Sequence, residues 1–181
     1  MNSADAIVRL RPFAPTDASA LARGVRESLP ELALWLPWAT ANYGEVEATA
    51  FIDSTMKGHS HDFVIDVGGK LAGACALNML DASTRRANVG YWITTPLSGR
   101  GYVTRAVSAL VAWAFAETDF ERLEIVAAVG NVASQRVAER VGAVREGVLA
   151  RRAWVRKHPD HEPSLESAVL YALVRPKGTE V

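Results

Sequence analysis

The clearest hydrophobic pattern in this sequence is helical and lies in its second half. Apolar residues recur there at positions i, i+3, i+4, i+7, i+8 and i+11, namely Val103, Ala106, Val107, Leu110, Val111 and Ala114. Because an α-helix has about 3.6 residues per turn, this spacing places all of these side chains on one face. The pattern predicts an amphipathic helix that follows a glycine-containing loop at residues 96–101.

Shorter segments elsewhere also favour helix. Prolines interrupt the second of them, so we expect it to form a short helix and a loop. Thr16 is the predicted N-cap of the first segment, and Gly142 is the predicted C-cap of the last. In chain order these segments are residues 17–28, 29–39, 44–57 and 131–142.

Strand patterns fill most of the remaining chain. Gly68 and Gly69 separate two of the predicted strands, which is typical of a two-residue hairpin turn. Because strands run consecutively in the middle of the chain and later alternate with helices, the expected fold is α/β, with a mixed seven-stranded sheet and helices on both faces. The predicted strands are residues 7–13, 61–67, 70–80, 87–94, 122–129, 143–150 and 168–175.

Length and composition narrow the class of protein. The 181 residues are 49% hydrophobic, and 20 basic side chains balance 20 acidic ones. This length suits one domain over residues 1–181, and the apolar content excludes a disordered chain. A net charge of zero argues against sequence-independent binding of nucleic acid. No stretch reaches the ~20 apolar residues of a membrane span, so we expect a cytoplasmic protein without membrane attachment.

The loop before the main helix has the features of an anion site. Gly99 and Gly101 lie between a predicted strand and the first turn of that helix, whose backbone N–H groups have no partner within the helix. Glycines let a phosphate approach the backbone closely. The same glycines also suit a plain tight turn, and the spacing matches neither the Walker loop nor the dinucleotide fingerprint.

A second segment, NVASQRVAERVGA, opens the last predicted helix. Asn131 is suited to cap this helix by accepting a hydrogen bond from the N–H of Ser134. Alternatively, both side chains face a ligand bound between this helix and the preceding one. The two interpretations are compatible.

The segments GYWI, SGRGYVTRA and NVASQRVAERVGA together resemble the GNAT superfamily of acyl-CoA N-acyltransferases, in particular its RimJ/RimL-like branch of ribosomal-protein N-terminal acetyltransferases. The resemblance covers nearly the whole chain. It implies a V-shaped sheet, splayed between strands 4 and 5, with acetyl-CoA in the cleft. It also implies that the pyrophosphate and pantetheine bind residues from the fourth strand to the last helix: Trp92, Ile93, Thr94, Ser98, Gly99, Arg100, Gly101, Tyr102, Val103, Asn131 and Ser134.

The resemblance further implies direct attack of a neutral amine on the thioester. Ser134 would assist the departing thiolate, with Asn131 beside it, while a backbone N–H near Ile93 would stabilise the oxyanion. Asn88 stands where many relatives carry a glutamate. Glu124 is then the candidate base, although a carboxylate on a strand is more often a solvated surface residue, and Glu146 is a similar case. Because an α-amine has a pKa of ~7.7–8.0 and lysine ~10.4, the lack of an obvious strong base favours an α-amine acceptor.

Other residues have two open interpretations. Trp35 and Trp38 correspond to the segment that lines the acceptor pocket in this branch, and they are equally suited to closing a core under a loop. His158, Asp160, His161 and Glu162 form a polar cluster, but Pro159 and Pro163 exclude helical ligand spacing, so no metal site is predicted.

The sequence therefore predicts an acetyl-CoA-dependent N-acyltransferase that acts on a protein or peptide N-terminal α-amine. A small-molecule amine is the alternative acceptor. A non-catalytic acyl-CoA-binding module is the alternative from another class, since position 88 lacks a carboxylate. Homodimerisation, frequent in this branch, is expected from the resemblance.

Overall fold

The computed structural model describes residues 6–156 and 162–176. Within these ranges five α-helices and seven strands form in the predicted order. The helices are α1 Ala18–Glu27, α2 Leu29–Trp35, α3 Glu45–Thr55, α4 Tyr102–Glu117 and α5 Val132–Arg140. The strands are β1 Val8–Pro12, β2 His61–Val67, β3 Lys70–Asp81, β4 Arg86–Ile93, β5 Arg122–Ala128, β6 Val144–Val155 and β7 Ser164–Val174.

All seven of these strands belong to one mixed sheet with the order β1-β2-β3-β4-β5-β7-β6. Of these described strands, only β4 and β5 are parallel neighbours, and they pair over a short stretch, from Arg86 opposite Arg122 to Asn88 opposite Glu124. Beyond Asn88 the two strands separate, although β4 continues to Ile93. The predicted mixed sheet, splayed between strands 4 and 5, is confirmed.

The sheet carries a hydrophobic core on each face. Consecutive residues of β3 divide between them: Ala74 packs under α1, α2 and α3, whereas Cys75 packs under α4 and α5. This division follows from the two-residue period of a strand, which turns successive side chains to opposite faces. Cys75 is a core residue as predicted, and burial raises the pKa of its thiol to about 12.

Two local predictions need correction. Thr16 does not cap α1, because a short 3₁₀ turn, Pro15–Asp17, precedes the helix and the side chain of Asp17 accepts from the N–H of Ala14 at 2.9 Å. Strand β6 extends five residues beyond the predicted end at residue 150, because an irregular register near Arg151 lets the chain resume pairing with β7.

None of the helices in the described ranges is long and apolar enough to cross a membrane.

Asp17 also joins β1 to α1. Its carboxylate accepts from both terminal nitrogens of Arg11, at 2.7 and 2.8 Å, and these bonds hold its pKa below the ordinary value. We expect Asp17→Asn to lower the free energy of unfolding at pH 7 by about 1–2 kcal/mol, a modest value because Arg11 is partly exposed to solvent.

The dependence of the unfolding free energy on pH tests whether the Arg11–Asp17 ion pair stabilises the fold. A carboxylate with a lowered folded pKa stabilises the fold above its unfolded pKa, ordinarily 3.8, and loses that effect as pH falls through the folded value. Denaturant titrations of the two proteins should therefore converge as pH falls below about 4. Asp66→Asn is the matched control, because Oδ2 of Asp66 lies 3.4 Å from Nε of the same Arg11, a longer and weaker contact. An equal loss in both variants would contradict the assignment.

Candidate active site

The separation of β4 from β5 opens a cleft of about 730 Å³. Its floor is formed by the two strands, and its sides by the loop before α4, by α5 and by α2. Ligand clefts of small-molecule enzymes span ~300–1,000 Å³, so this one is large enough for an extended ligand. The predicted residues that line it are Trp35, Trp92, Ile93, Ser98, Gly99, Gly101, Tyr102, Val103, Asn131 and Ser134.

The edge of β4 inside the cleft offers unpaired backbone groups. The N–H of Thr94 donates to Ala72 of β3 at 2.8 Å. Because hydrogen-bonding directions alternate along a strand, the N–H groups of Tyr91 and Ile93 point away from β3 toward the gap. An extended ligand can therefore pair with this edge as an added strand. Thr94, which was predicted to bind the cofactor, is itself buried and is not among the residues that line the cleft.

The loop before α4 has the predicted geometry of an anion site. Gly99 and Gly101 have φ angles of +72° and +75°, and a Cβ atom built at either position would meet nothing within 4 Å. Gly101 is the N-cap of α4 and has no side chain to satisfy the first-turn N–H groups. The space beside both glycines is open, and the positive end of the helix dipole lies next to it, so a phosphate fits there.

Two arginines on α5 add positive charge to the same cleft. Arg136 and Arg140 are one helical turn apart, and both line the cleft opposite the glycine loop. Guanidinium groups bind phosphate oxygens with two parallel hydrogen bonds. Arg100, which we predicted as a ligand-binding residue, is not among the lining residues.

Asn131 and Ser134 form the predicted helix cap, and both residues also line the cleft. The side chain of Asn131 accepts from the N–H of Ser134 at 3.1 Å and caps α5. The hydroxyl of Ser134 lies in the cleft, 2.9 Å from the hydroxyl of Tyr91 on β4. Tyr91 also lies within hydrogen-bonding distance of the Ser134 carbonyl oxygen, at 3.1 Å. Burial raises the pKa of Tyr91 to about 12, so its hydroxyl remains protonated at neutral pH.

The candidate base Glu124 is engaged elsewhere. Its two carboxylate oxygens accept from Arg122 at 2.8 Å and from Arg86 at 3.1 Å. Glu124 does not line the cleft. Asn88 opposite it does, and its amide donates to the side chain of Asn78 at 2.8 Å. The pairing of Glu124 with two guanidinium groups favours a structural role for this carboxylate.

The two predicted acceptor-pocket tryptophans lie in different places. Trp35 lines the cleft, whereas Trp38 lines a second cavity of about 410 Å³ beside it. This second cavity, which we call the side pocket, lies between β3, β4 and helices α1 and α3. It shares Leu36, Asn78, Gly90, Tyr91 and Trp92 with the cleft, so the two spaces adjoin each other along β4.

The predicted polar cluster around residue 160 lies mostly outside the described residues. In the described ranges, no group of three or more His, Cys, Asp or Glu side chains is placed to hold a metal ion.

Four functional candidates were not predicted from the sequence. Arg136 and Arg140 could have been found as a pair, because their spacing of four residues places both on one side of α5. Tyr91 and Asp62, a lining residue of the side pocket, carry no comparable local signal. Their placement depends on which helices pack against the sheet.

The assembled site can hold a phosphorylated, extended ligand and support acyl transfer. The glycine loop and the α5 arginines suit its phosphates, and the open edge of β4 suits an amide-containing arm. A hydroxyl pair, Ser134 and Tyr91, lies where that arm would end. These groups can stabilise a leaving anion without a metal.

Comparisons with known proteins agree with this geometry. The family described as acetyltransferase (GNAT) domain matches residues 8–144. Among curated proteins, the "Putative ribosomal N-acetyltransferase YdaF" of Bacillus subtilis is 32% identical over 145 residues, which cover 77% of this chain and 79% of the relative.

Solved structures share the fold over almost the whole chain. RimL, a ribosomal L7/L12 α-N-protein acetyltransferase in complex with coenzyme A, is 21% identical with a TM-score of 0.83, covering 92% of this chain and 93% of its own. The microcin C7 self-immunity acetyltransferase MccE, in complex with acetyl-CoA and AMP, is 22% identical with a TM-score of 0.83, covering 92% of both chains.

Proposed function

Because this chain belongs to the acetyltransferase (GNAT) family and is an acetyl-CoA-dependent N-acetyltransferase, we propose that its acceptor is the α-amine of a protein or peptide N-terminus. The name of the Bacillus subtilis relative supports a ribosomal-protein acceptor. RimL, named as an α-N-protein acetyltransferase of ribosomal L7/L12, supports the same class of acceptor.

The observation that carries the proposal is the composition of the cleft. It combines an anion site, an open strand edge and a hydroxyl pair, and among the described residues that line it Glu31 is the only Asp or Glu. An α-amine needs little help to lose its proton, since its pKa of ~7.7–8.0 leaves part of it neutral at physiological pH. A lysine acceptor would need a strong base at this point.

The residues divide into binding and chemical roles. The N–H groups of Tyr102 and Val103, with Gly99 and Gly101, bind the pyrophosphate of acetyl-CoA, and Arg136 and Arg140 bind its phosphates. Acetyl-CoA supplies the activated thioester. The open N–H of Ile93 or Tyr91 donates to the carbonyl oxygen as negative charge develops there.

The hydroxyl of Ser134 hydrogen-bonds the departing sulfur. Tyr91 orients that hydroxyl, because the two hydroxyl oxygens are 2.9 Å apart and form a hydrogen bond in which either can be the donor. The proton of the amine leaves through water. In this scheme Asn131 fixes the start of α5, and Glu124 secures the pairing of β4 with β5.

We also propose that residues 1–181 form one catalytic domain and that the protein is cytoplasmic, as its length and composition favour. From the resemblance to the RimJ/RimL-like branch we propose that it is a homodimer. Sedimentation velocity tests for the dimer, and the molar mass obtained should be twice that of one chain.

Thiol release tests the proposed acceptor. Purified protein and acetyl-CoA are mixed with peptides that begin in Ser, Ala or Met, with the same peptides blocked at the N-terminus and carrying a lysine, and with small amines. We expect release of free coenzyme A only with the free N-termini, and mass spectrometry should place the acetyl group on the α-amine.

The remaining outcomes separate the alternatives. Turnover with small amines alone would identify a small-molecule acetyltransferase. Tight binding of coenzyme A without turnover of any acceptor would leave a binding module and would contradict the proposal.

A further inference from the structure

The side pocket differs sharply in character from the cleft that it adjoins. Its walls are mainly apolar and aromatic, with Trp38, Tyr43, Phe51 and Trp92 among them. Of the residues that line it within the described ranges, Asp62 alone is an Asp, Glu, Lys, Arg or His. A single carboxylate in such surroundings is costly unless a donor or a cation meets it.

Few hydrogen-bond donors or cationic groups in the described ranges lie close to the Asp62 carboxylate. The hydroxyl of Ser60 donates to Asp62 Oδ2. No lysine or arginine in the described ranges forms an ion pair with it. The neighbouring His61 turns to the other face of the sheet, where its ring contacts Trp113 and Phe120. Burial raises the pKa of Asp62, and the hydrogen bond from Ser60 and the charge of His61 offset only part of that rise.

Strand register gives the distance from Asp62 to the cleft. Asp62 on β2 is opposite Ala76 on β3, and Ala76 is opposite Gly90 on β4. Two strand spacings of ~4.7–4.9 Å therefore separate Asp62 from the wall shared with the cleft. The attacking amine must come within ~3–3.5 Å of the thioester carbon beside β4, so Asp62 is too distant to hold that amine itself.

We propose that Asp62 binds a second, positively charged group of the acceptor, so that the enzyme prefers N-termini with a lysine or arginine close to the α-amine. This inference rests on the proposed function. A lysine at the second position of a peptide places its ammonium up to ~10 Å from the α-amine, which matches the register distance.

The aromatic walls favour the same kind of group. The rings of Trp38 and Trp92 lie 6.2 Å apart, and those of Trp38 and Tyr43 lie 5.6 Å apart. Indole and phenol faces attract an organic cation, and the alkyl stem of a lysine gains from burial against apolar walls. An ion pair with Asp62, contacts with the aromatic rings and burial of an alkyl stem are all available to a basic side chain. A small inorganic cation lacks the stem, so the pocket favours the side chain.

Binding is measured first, without turnover. Protein saturated with coenzyme A is titrated calorimetrically with two peptide amides, Ala-Lys-Ala and Ala-norleucine-Ala, which differ only in the side-chain charge. We expect the lysine peptide to bind at least tenfold tighter to the native protein. Asp62→Asn should remove that difference, Asp62→Glu should keep part of it, and Asp53→Asn, which removes an exposed carboxylate from α3, should keep all of it.

Turnover of the same peptides is measured in parallel. We expect the ratio of the two kcat/KM values to fall at least tenfold in Asp62→Asn and to be unchanged in Asp53→Asn. Equal binding of both peptides by the native protein, or a lysine preference that survives Asp62→Asn in the folded variant, would overturn the inference. Asp62-dependent binding of the lysine peptide without any acetylation would support the inference and contradict the proposed function instead.

Discussion

Gly101→Glu is expected to weaken binding of coenzyme A at least a hundredfold. Gly101 is the N-cap of α4 at φ +75°, lines the cleft and has no side chain that could cover the first turn of the helix. A glutamate at this position would place a carboxylate where the pyrophosphate binds and could itself accept from the N–H groups of that turn. A hundredfold loss corresponds to about 2.7 kcal/mol. Isothermal titration calorimetry with coenzyme A measures it.

Two further variants separate the causes of that loss. Any side chain at a positive φ strains the backbone, so Gly58→Glu, at φ +73° in the turn after α3 with open space around it, is the matched control for strain. We expect it to bind coenzyme A normally. Gly101→Gln has the bulk without the charge and should lose about tenfold, since it also offers an acceptor to the N–H groups. Equal affinities for Gly101→Glu and Gly58→Glu would contradict the phosphate site.

The phosphate loop was predictable because its chemistry is local. Glycine permits the positive φ found at Gly99 and Gly101, and the N–H donors belong to the first turn of a helix, so both features are encoded by neighbouring residues. The cap of α5 is local in the same way, since Asn131 and Ser134 are three residues apart. The splay of the sheet is not local, and it was expected only through the resemblance.

The ion pairs of Glu124 could not be predicted in full from the sequence, because one of them depends on how β4 and β5 pair. On the sequence it is an isolated carboxylate on a strand near the centre of the fold, which makes it a reasonable candidate for a base. Its partner Arg86 is 38 positions away and reaches it only because β4 and β5 pair in one particular register. A shift of that register by one residue would turn the carboxylate to the other face.

The side pocket was also difficult to predict, because it too depends on contacts between distant parts of the chain. The side pocket forms where α1, α3 and the segment between α2 and α3 leave space over β3 and β4, so its shape depends on how these parts of the chain pack. Trp35 and Trp38 lie only three residues apart, yet α2 ends at Trp35 and the chain then turns. The turn sends one ring to the cleft and the other to the side pocket.

Ser134→Ala is expected to lower kcat by about 10–100-fold while the affinity for coenzyme A stays nearly unchanged, as for loss of a group that acts mainly in the transition state. The hydroxyl lies in the cleft, and the helix cap that positions it uses the backbone N–H of residue 134, which alanine retains. Ser108→Ala, an exposed serine on α4, is the matched control and should have native kinetics.

Tyr91→Phe tests whether the two hydroxyls act as one unit. If Tyr91 only orients the serine hydroxyl, the phenylalanine variant loses about tenfold in kcat, and the double variant is no slower than Ser134→Ala alone. Independent contributions would instead multiply. Native turnover in Ser134→Ala would contradict the assignment altogether, because Asn131 and Ser134 would then form a helix cap and nothing more. Burial keeps the pKa of Tyr91 at about 12, so its orienting role should not vary with pH between about 6 and 9.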